Sequence, residues 1–218
     1  MTRSSLRVAV TGPIASGKST ALAAAKMSGY VTIDADEVYH DLLRTDRALE
    51  RRLRRAFGDG VVFRGRINRR ALRRLIADDP SQLPVLERIT HPPVIRRINR
   101  LIRAAERRGA AVVAAIPLLF ELGLERSFDA VVTLRCSRTA IMRRLKRRGI
   151  EPGEVAALVR RQGAITPKMR QSDVVIDTSA LTARRFATIF RAVLAHLHAR
   201  RSTGPGFPKR EMDSCRGC

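Results

Sequence analysis

Apolar residues along the chain form short continuous runs, and the stretches between them have helical spacing. Five runs predict strands, because a strand that is covered on both faces of a parallel sheet is apolar at nearly every position. The runs are residues 6–10, 30–33, 110–116, 128–134 and 174–176. Helical segments follow them, including 21–27, 37–44 and 181–200. This alternation predicts an α/β fold with a parallel sheet of about five strands and helices on both faces.

The pattern changes between residues 46 and 108, where helical spacing dominates and strand signals are few. Leu49, Leu53 and Phe57 share one helix face, and a second group recurs before the break at Asp78-Asp-Pro80. We expect a third helix at about 81–90 and a fourth that opens at His91-Pro-Pro93 and continues to Arg108. The pattern therefore predicts a helical insertion between two strands of the sheet.

Residues 11–20, Thr-Gly-Pro-Ile-Ala-Ser-Gly-Lys-Ser-Thr, lie between the first strand and the following helix. Gly12 and Gly17 have the spacing of a phosphate-binding P-loop, in which backbone N–H groups surround phosphate oxygens. Lys18 then reaches the β- and γ-phosphates, and the Ser19 hydroxyl binds magnesium. The alternative is a glycine-rich turn without a ligand. The order of strand, loop and helix favours the P-loop.

Two carboxylates, Asp34 and Asp36, follow the second strand. The carboxyl ends of parallel strands face the crevice where ligands of open α/β sheets bind. The pair could orient magnesium or accept a proton from an attacking hydroxyl. The alternative is that one of them only caps the helix at 37–44.

The helix after the fourth strand, for which Ser137 or Thr139 could be the N-cap, carries a cluster of four arginines. They are Arg143, Arg144, Arg147 and Arg148. Most of them form a solvated face, but one or two could stabilise the transferring phosphoryl group. The predicted helix 151–162 and the polar segment 163–172 are candidates for a mobile lid that excludes water.

The chain carries 43 Lys and Arg against 20 Asp and Glu, a formal net charge of +23. Such a field attracts phosphate-rich molecules. The basic residues are spread over nearly every predicted helix and only 4% of residues are aromatic, so we expect no specific nucleic-acid partner. No apolar run approaches the length of a membrane span and the N-terminus shows no signal sequence, so we expect a cytoplasmic location.

The order of these landmarks closely resembles that of the dephospho-CoA kinases, over residues 6 to about 198. The P-loop is widespread, but the segments that follow it are specific to that family. They are Ile33-Asp-Ala-Asp36, Phe57-Gly58, Gly65-Arg-Ile-Asn-Arg-Arg-Ala-Leu72, Leu86-Glu87 with Thr90-His-Pro92, Pro117-Leu-Leu-Phe-Glu121 and Ser172-Asp-Val-Val-Ile-Asp177.

The resemblance implies a P-loop NTPase fold of three layers, α/β/α, that phosphorylates the ribose 3′-hydroxyl of dephospho-CoA with ATP and Mg²⁺. It also implies a nucleotide-binding core (1–44, 109–145 and 173–200), a helical substrate domain (45–108) and a lid (146–172), with a disordered tail at 201–218. We expect no membrane association and no obligate protein partner.

The resemblance also implies roles for individual residues. Asp36 is the expected general base, Lys18 and Arg144 neutralise phosphoryl charge, and Ser19 and Asp34 lie at the metal. Asp34, Arg69, His91 and Glu121 are expected near the substrate, and Arg148 and Gln162 in the lid or near the adenine. The expected ATP-binding residues are those of the loop: Gly12, Pro13, Ile14, Ala15, Ser16, Gly17, Lys18, Ser19 and Thr20.

Four positions depart from the family pattern: Pro13 and Ala15 stand where the family usually has glycine, Ile141 where it has Gln, and Thr178 where it has Asn. Three alternatives to this function stay open: another small-molecule P-loop kinase, a regulatory GTPase and a nucleic-acid-binding ATPase. The GTPase would need an Asn-Lys-x-Asp motif, which the sequence lacks.

Overall fold

A computed structural model describes residues 5–149 and 169–203. The predicted helix 151–162 with Gln162, most of the expected lid and residues 204–218 of the expected tail lie outside the described residues. None of the helices in the described part is both long and apolar enough to cross a bilayer.

The described chain alternates strands and helices, as predicted. The elements, in order, are β1 Arg7–Thr11, α1 Lys18–Met27, β2 Val31–Asp34, α2 Ala35–Thr45, α3 Arg47–Phe57, β3 Val62–Phe63, β4 Arg66–Ile67, α4 Arg69–Asp78, α5 Leu83–Glu106, β5 Val112–Ala115, β6 Ala130–Arg135, α6 Arg138–Lys146, β7 Val174–Asp177 and α7 Ala183–Thr203.

The described residues form two compact units. The first comprises those within Met1–Thr32 and Ala105–Cys218, and the second is Ile33–Ala104. The second unit therefore begins earlier than the expected substrate domain at 45–108, and it includes α2.

Five parallel strands form the sheet in the order β2-β5-β1-β6-β7. The central strand β1 pairs with β5 on one side, with Val8 opposite Val113, and with β6 on the other, with Val8 opposite Ala130. All four residues of β5 are buried, which explains its uninterrupted apolar sequence. The predicted sheet of about five parallel strands is confirmed.

Helices α1 and α7 pack on the sheet and form the core of the first unit. Phe186, Phe190 and Leu194 of α7 are buried against small α1 residues such as Ala21 and Ala25. The small side chains let the two helices approach closely.

The second unit has its own apolar core, in which α2, α3, α4 and α5 surround a short hairpin. The hairpin, β3 paired antiparallel with β4, was not predicted. Its two turn residues, Arg64 and Gly65, both have positive φ, at 49° and 69°. Positive φ at both turn residues is typical of two-residue hairpin turns. In a sequence, however, Arg-Gly predicts such a turn less strongly than Asn-Gly or Asp-Gly does.

Helix α5 corrects one prediction, because it runs without interruption from Leu83 to Glu106 and includes Pro92 and Pro93. The separate helices expected at 81–90 and 91–108 are one. Each proline removes a backbone N–H and disfavours the helix interior. Burial of residues on both sides of the prolines, such as Leu86, Val94 and Ile98, outweighs that cost.

The last helix in the described part of the chain, α7, ends at Thr203, three residues beyond its predicted end at Arg200. Arg201 donates to Asp129 at 2.8 Å and so ties the end of α7 to the loop before β6.

Candidate functional site

The P-loop spans the turn between β1 and α1, and both of its glycines are required by geometry. Gly12 has φ 147°, and a Cβ there would clash with the carbonyl oxygen of Leu134. Gly17, at φ 107°, is the N-cap of α1. No side chain caps α1, and the N-terminus of such a helix is a site where phosphate groups bind.

Ala15 lies in the left-handed region, with φ 58°, a conformation that costs a residue with a Cβ about 1–2 kcal/mol. Its methyl group is buried in a small cluster with Ile141 and Leu145 of α6. Two positions that depart from the family pattern, Ala15 and Ile141, thus belong to one apolar cluster. Pro13 keeps a loop role, since its carbonyl accepts from the Ser16 N–H at 3.2 Å.

Lys18, the first residue of α1, bends back over the loop. Its ammonium donates to the carbonyls of Gly12 at 2.8 Å and of Pro13 at 2.9 Å. This contact holds the cationic charge at the loop, where a nucleotide's phosphates would lie. Ser19 is exposed on the next position of the helix.

Arg144 is the arginine of the cluster that reaches the P-loop. Its guanidinium donates to the Ala15 carbonyl at 2.9 Å and to the Thr178 hydroxyl at 3.2 Å, and it also binds the Thr178 carbonyl. Arg144 is half-buried, whereas Arg143, Arg147 and Arg148 are exposed. The expectation that most of the cluster is solvated is therefore met by three of its four side chains.

Thr178, just after β7, closes a network between the loop and α6. It is fully buried, and its hydroxyl donates to the Ser16 carbonyl at 2.9 Å, with the Arg135 carbonyl at 3.1 Å as a second acceptor. Sequence reasoning noted Thr178 only as a departure from the family pattern. Its hydrogen-bond partners Arg144, Arg135 and Ser16 lie 34, 43 and 162 positions away in the chain, so no local signal identifies this role.

The turn after Thr178 is ordered by Asp177. Its carboxylate accepts from the Ser179 backbone N–H at 2.9 Å and from the Ser179 hydroxyl. These hydrogen bonds, with a smaller contribution from Arg135, lower the pKa of Asp177 below its ordinary value. The turn therefore stays fixed beside the P-loop at neutral pH.

A pocket of about 520 Å³ opens beside the P-loop within the first unit. The loop and α1 form one wall, the basic face of α6 another, and the start of α7 a third. Its lining includes Ala15, Ser16, Gly17, Thr20, Arg143, Arg144, Arg147, Arg148, Thr178 and Phe186. An anion-binding loop, several cations and an aromatic ring thus share one cavity.

In the second unit, the two aspartates take different positions at the start of α2. Asp34 is the N-cap, and its carboxylate accepts from the Asp36 backbone N–H at 2.9 Å. The capping role that the sequence left open is therefore real for Asp34. Asp36 lies in the first turn and is exposed.

Arg69, the first residue of α4, lies beside His40 of α2. The guanidinium NH2 of Arg69 is 2.7 Å from the His40 Nε2. Both residues line a pocket of about 360 Å³ with Glu37, Asp41, Arg44 and Arg66. His40 was not predicted, although its position four residues after Asp36 places both on one helix face and was visible in the sequence.

The structure does not bring every predicted residue together. His91 is half-buried within α5 and does not line the pocket that contains Arg69. Glu121 is exposed in the turn after β5, in the first unit. Gln162 lies outside the described residues.

Comparison with known proteins gives a family. A family model described as dephospho-CoA kinase matches residues 6–183 of the chain. The chain belongs to the dephospho-CoA kinase family. The dephospho-CoA kinase of Symbiobacterium thermophilum is 36% identical over 185 residues, which cover 84% of this chain and 77% of that relative.

Solved structures agree with this dephospho-CoA kinase fold. A Thermus thermophilus protein matches with TM-score 0.72 and 32% identity, over 88% of this chain and 98% of that one. The dephospho-CoA kinase of Campylobacter jejuni is similar in fold, with a TM-score of 0.62 and 24% identity. The match covers 91% of this chain and 98% of that one. The expected three-layer P-loop kinase fold is confirmed, and the protein is an ATP-dependent kinase of CoA biosynthesis.

Proposed function

We propose that the protein transfers the γ-phosphoryl group of ATP to the ribose 3′-hydroxyl of dephospho-CoA. The 3′-oxygen forms a bond to the γ-phosphorus, the bond from that phosphorus to the bridging oxygen of ADP breaks, and the hydroxyl proton passes to a base. The observation that carries the proposal is the pocket beside the P-loop, because it joins a phosphate-binding loop to a basic helix face within a member of this kinase family.

The P-loop side binds ATP in this proposal. The backbone N–H groups of residues 12–20 and the start of α1 bind the phosphates, and Lys18 supplies charge to the β- and γ-phosphates. Arg144 stabilises the spread negative charge of the transferred group, while its bonds to the Ala15 and Thr178 carbonyls keep the guanidinium at the loop. Arg148, which lines the same pocket, and Gln162 are proposed to lie in the lid or near the adenine.

The second unit supplies the acceptor side. Asp36 is the proposed general base for the 3′-hydroxyl, since its carboxylate is exposed at the start of α2. Arg69 binds anionic groups of the substrate in this proposal, with His91 as a further contact from the second unit. Glu121, which belongs to the first unit, is also a proposed substrate contact. The exposed cation Arg66, which lines the same pocket as Arg69, suits the diphosphate of dephospho-CoA.

Magnesium is the proposed metal, and the donors available fit it. Mg²⁺ prefers oxygen ligands and usually takes few from the protein, the rest coming from phosphates and water. The Ser19 hydroxyl is exposed in the first turn of α1, and the cap of α2 is made by Oδ1 of Asp34. When bound, the ion neutralises charge on the ATP phosphates.

The proposed reaction belongs to central cofactor synthesis, which supports a cytoplasmic location. Dephospho-CoA and ATP are the proposed partners, and no further protein or nucleic acid is required for the chemistry.

Replacing the proposed base tests the acceptor side. Asp36→Asn removes the proton acceptor and keeps the side chain's size, so kcat should fall about 100-fold or more while the KM for ATP changes little. Steady-state kinetics with ATP and dephospho-CoA measure both. Asp78→Asn, an equal change of charge on the exposed end of α4, is the matched control and should leave both constants unchanged. Turnover of Asp36→Asn within a few-fold of the unmodified enzyme would exclude Asp36 as the base.

Replacing the P-loop lysine tests the ATP side. Lys18→Met keeps the length of the side chain and removes its charge, so both ATP binding and turnover should fall, with kcat/KM for ATP lower by about 100-fold or more. Equilibrium binding of ATP and initial rates are the measurements. An unaffected variant would contradict the P-loop assignment.

A further inference from the structure

His40, on α2, contacts the guanidinium of Arg69. It lies one turn after Asp36 on α2, so the two side chains share a helix face. Its Nε2 is 2.7 Å from the guanidinium of Arg69, a residue 29 positions away on α4. The start of α4 is itself fixed, because Asn68 caps it by accepting from the Arg70 and Ala71 N–H groups.

The chemistry of this contact defines the state of the imidazole. A guanidinium carries only donors, so the His40 Nε2 must be the acceptor. The ring is therefore neutral, with its proton on Nδ1. Burial lowers the pKa of His40 below 6.5, and the Arg69 charge lowers it further, so the neutral form predominates at pH 7.

Other charges around His40 act in both directions. Asp36 and Asp34 raise its pKa, whereas Arg73 lowers it. The charged groups that face it are, from α2 and its cap, Asp34, Asp36, Glu37, Asp41 and Arg44, from β4 Arg66, and from α4 Arg69 and Arg73. The direct hydrogen bond to Arg69 distinguishes that residue from the rest.

Arg69 keeps its charge available for a ligand. Within residues 5–149 and 169–203, its guanidinium has no carboxylate partner, and its hydrogen bond to His40 uses a neutral acceptor. Arg44, by contrast, is paired with Asp41 at 2.8 Å. The side chain of an exposed arginine is long and has many rotamers. The hydrogen bond to His40 restricts the Arg69 side chain to one orientation without neutralising its charge.

We propose that His40 is a positioning residue that holds Arg69 in the orientation in which its guanidinium binds the phosphate groups of dephospho-CoA. The proposal rests on the proposed function and adds to it the group that pre-organises the anion contact. In this proposal, the loss of His40 weakens the binding of dephospho-CoA but does not slow the transfer of the phosphoryl group.

Kinetic constants of three variants test the proposal. His40→Leu removes the acceptor, so the KM for dephospho-CoA should rise about tenfold, the effect of losing one hydrogen bond to a charged group. The KM for ATP and kcat should change less than twofold. His40→Gln retains an acceptor oxygen and should restore most of the affinity. His196→Leu, the same change on the exposed surface of α7, is the control.

Two further readouts separate positioning from a general structural effect. In an Arg69→Met background, His40→Leu should cause no further rise in KM, because the histidine acts only through the arginine. The kcat/KM for dephospho-CoA should also fall at acidic pH, once the pH drops below the lowered pKa of His40, because the protonated ring can no longer accept a hydrogen bond. His40→Gln should lack that fall.

The outcomes distinguish failure of this proposal from failure of the function. Phosphorylation of dephospho-CoA by the unmodified enzyme with an unchanged KM in His40→Leu would overturn the role of His40, as would an additive loss in the Arg69→Met background. No turnover of dephospho-CoA by the unmodified, folded enzyme would overturn the function, and with it this role. Thermal melting of each variant verifies that the fold is intact.

Discussion

At the scale of the residue, the P-loop shows how one conformation can be strained and still retained. Ala15 has a left-handed backbone that glycine would adopt freely, yet its methyl group is buried against Ile141 and Leu145. Gly12 permits no such substitution, because the space for a Cβ is occupied by the Leu134 carbonyl. The two positions therefore tolerate change very differently.

Ala15→Gly should leave the free energy of unfolding nearly unchanged. Relief of the left-handed strain gains about 1–2 kcal/mol. Loss of the buried methyl costs about 0.8 kcal/mol. The greater freedom of glycine in the unfolded chain costs about 0.4–1 kcal/mol. The net change in urea denaturation should stay within about 1 kcal/mol, and a loss above about 2 kcal/mol would show that the methyl contacts dominate.

At the scale of the element, the loop after β7 and helix α6 are joined to the P-loop through Thr178 and Arg144. The Thr178 hydroxyl binds the Ser16 carbonyl, and Arg144 binds the carbonyls of Ala15 and Thr178. Three segments that are distant in sequence are thereby fixed around one pocket. The geometry of ATP binding should depend on this network as well as on the glycines.

Thr178→Val should weaken this network without changing the volume of the side chain. The Ser16 carbonyl would lose its buried donor, which costs about 1–3 kcal/mol of stability. In a protein of this size we expect the melting temperature to fall by at least 2–4 °C and the KM for ATP to rise. Thr178→Ser keeps the hydroxyl and is the control. Equal behaviour of the two variants in calorimetry and ATP kinetics would show that the hydroxyl is unimportant.

The elements themselves were largely predictable, and the exceptions have physical causes. All five strands of the sheet are apolar runs, so each was visible in the sequence. The hairpin β3–β4 has only two residues in each strand, too few for a period to appear. Helix α5 passes through Pro92 and Pro93, because tertiary packing outweighs a local signal that normally ends a helix.

Some parts of the candidate site were also predictable from the sequence, and others were not. The P-loop was predictable because its residues are contiguous and each has a chemical reason to be there. The Asp34 cap could be foreseen only as an alternative. The Arg69–His40 and Thr178–Ser16 contacts join residues that are 29 and 162 positions apart, and only the fold brings them together.

At the scale of the whole molecule, the two units have separate cores and separate chemical characters. The first contains the P-loop, the basic helix face and a pocket lined by both. The second contains Asp36 and an arginine held by a neutral histidine beside a second pocket. In the proposed function, the first unit provides the phosphate-binding donor site and the second provides the acceptor site for an anionic alcohol.

The central claim is the identity of the acceptor, and a product assay tests it most directly. The purified protein is incubated with ATP, Mg²⁺ and either dephospho-CoA or a nucleoside monophosphate, and products are identified by ³¹P NMR. We predict ADP formation with dephospho-CoA and a new phosphomonoester at the ribose 3′ position, with no consumption of the nucleoside monophosphate. Consumption of the nucleoside monophosphate while dephospho-CoA remains unchanged would contradict the account.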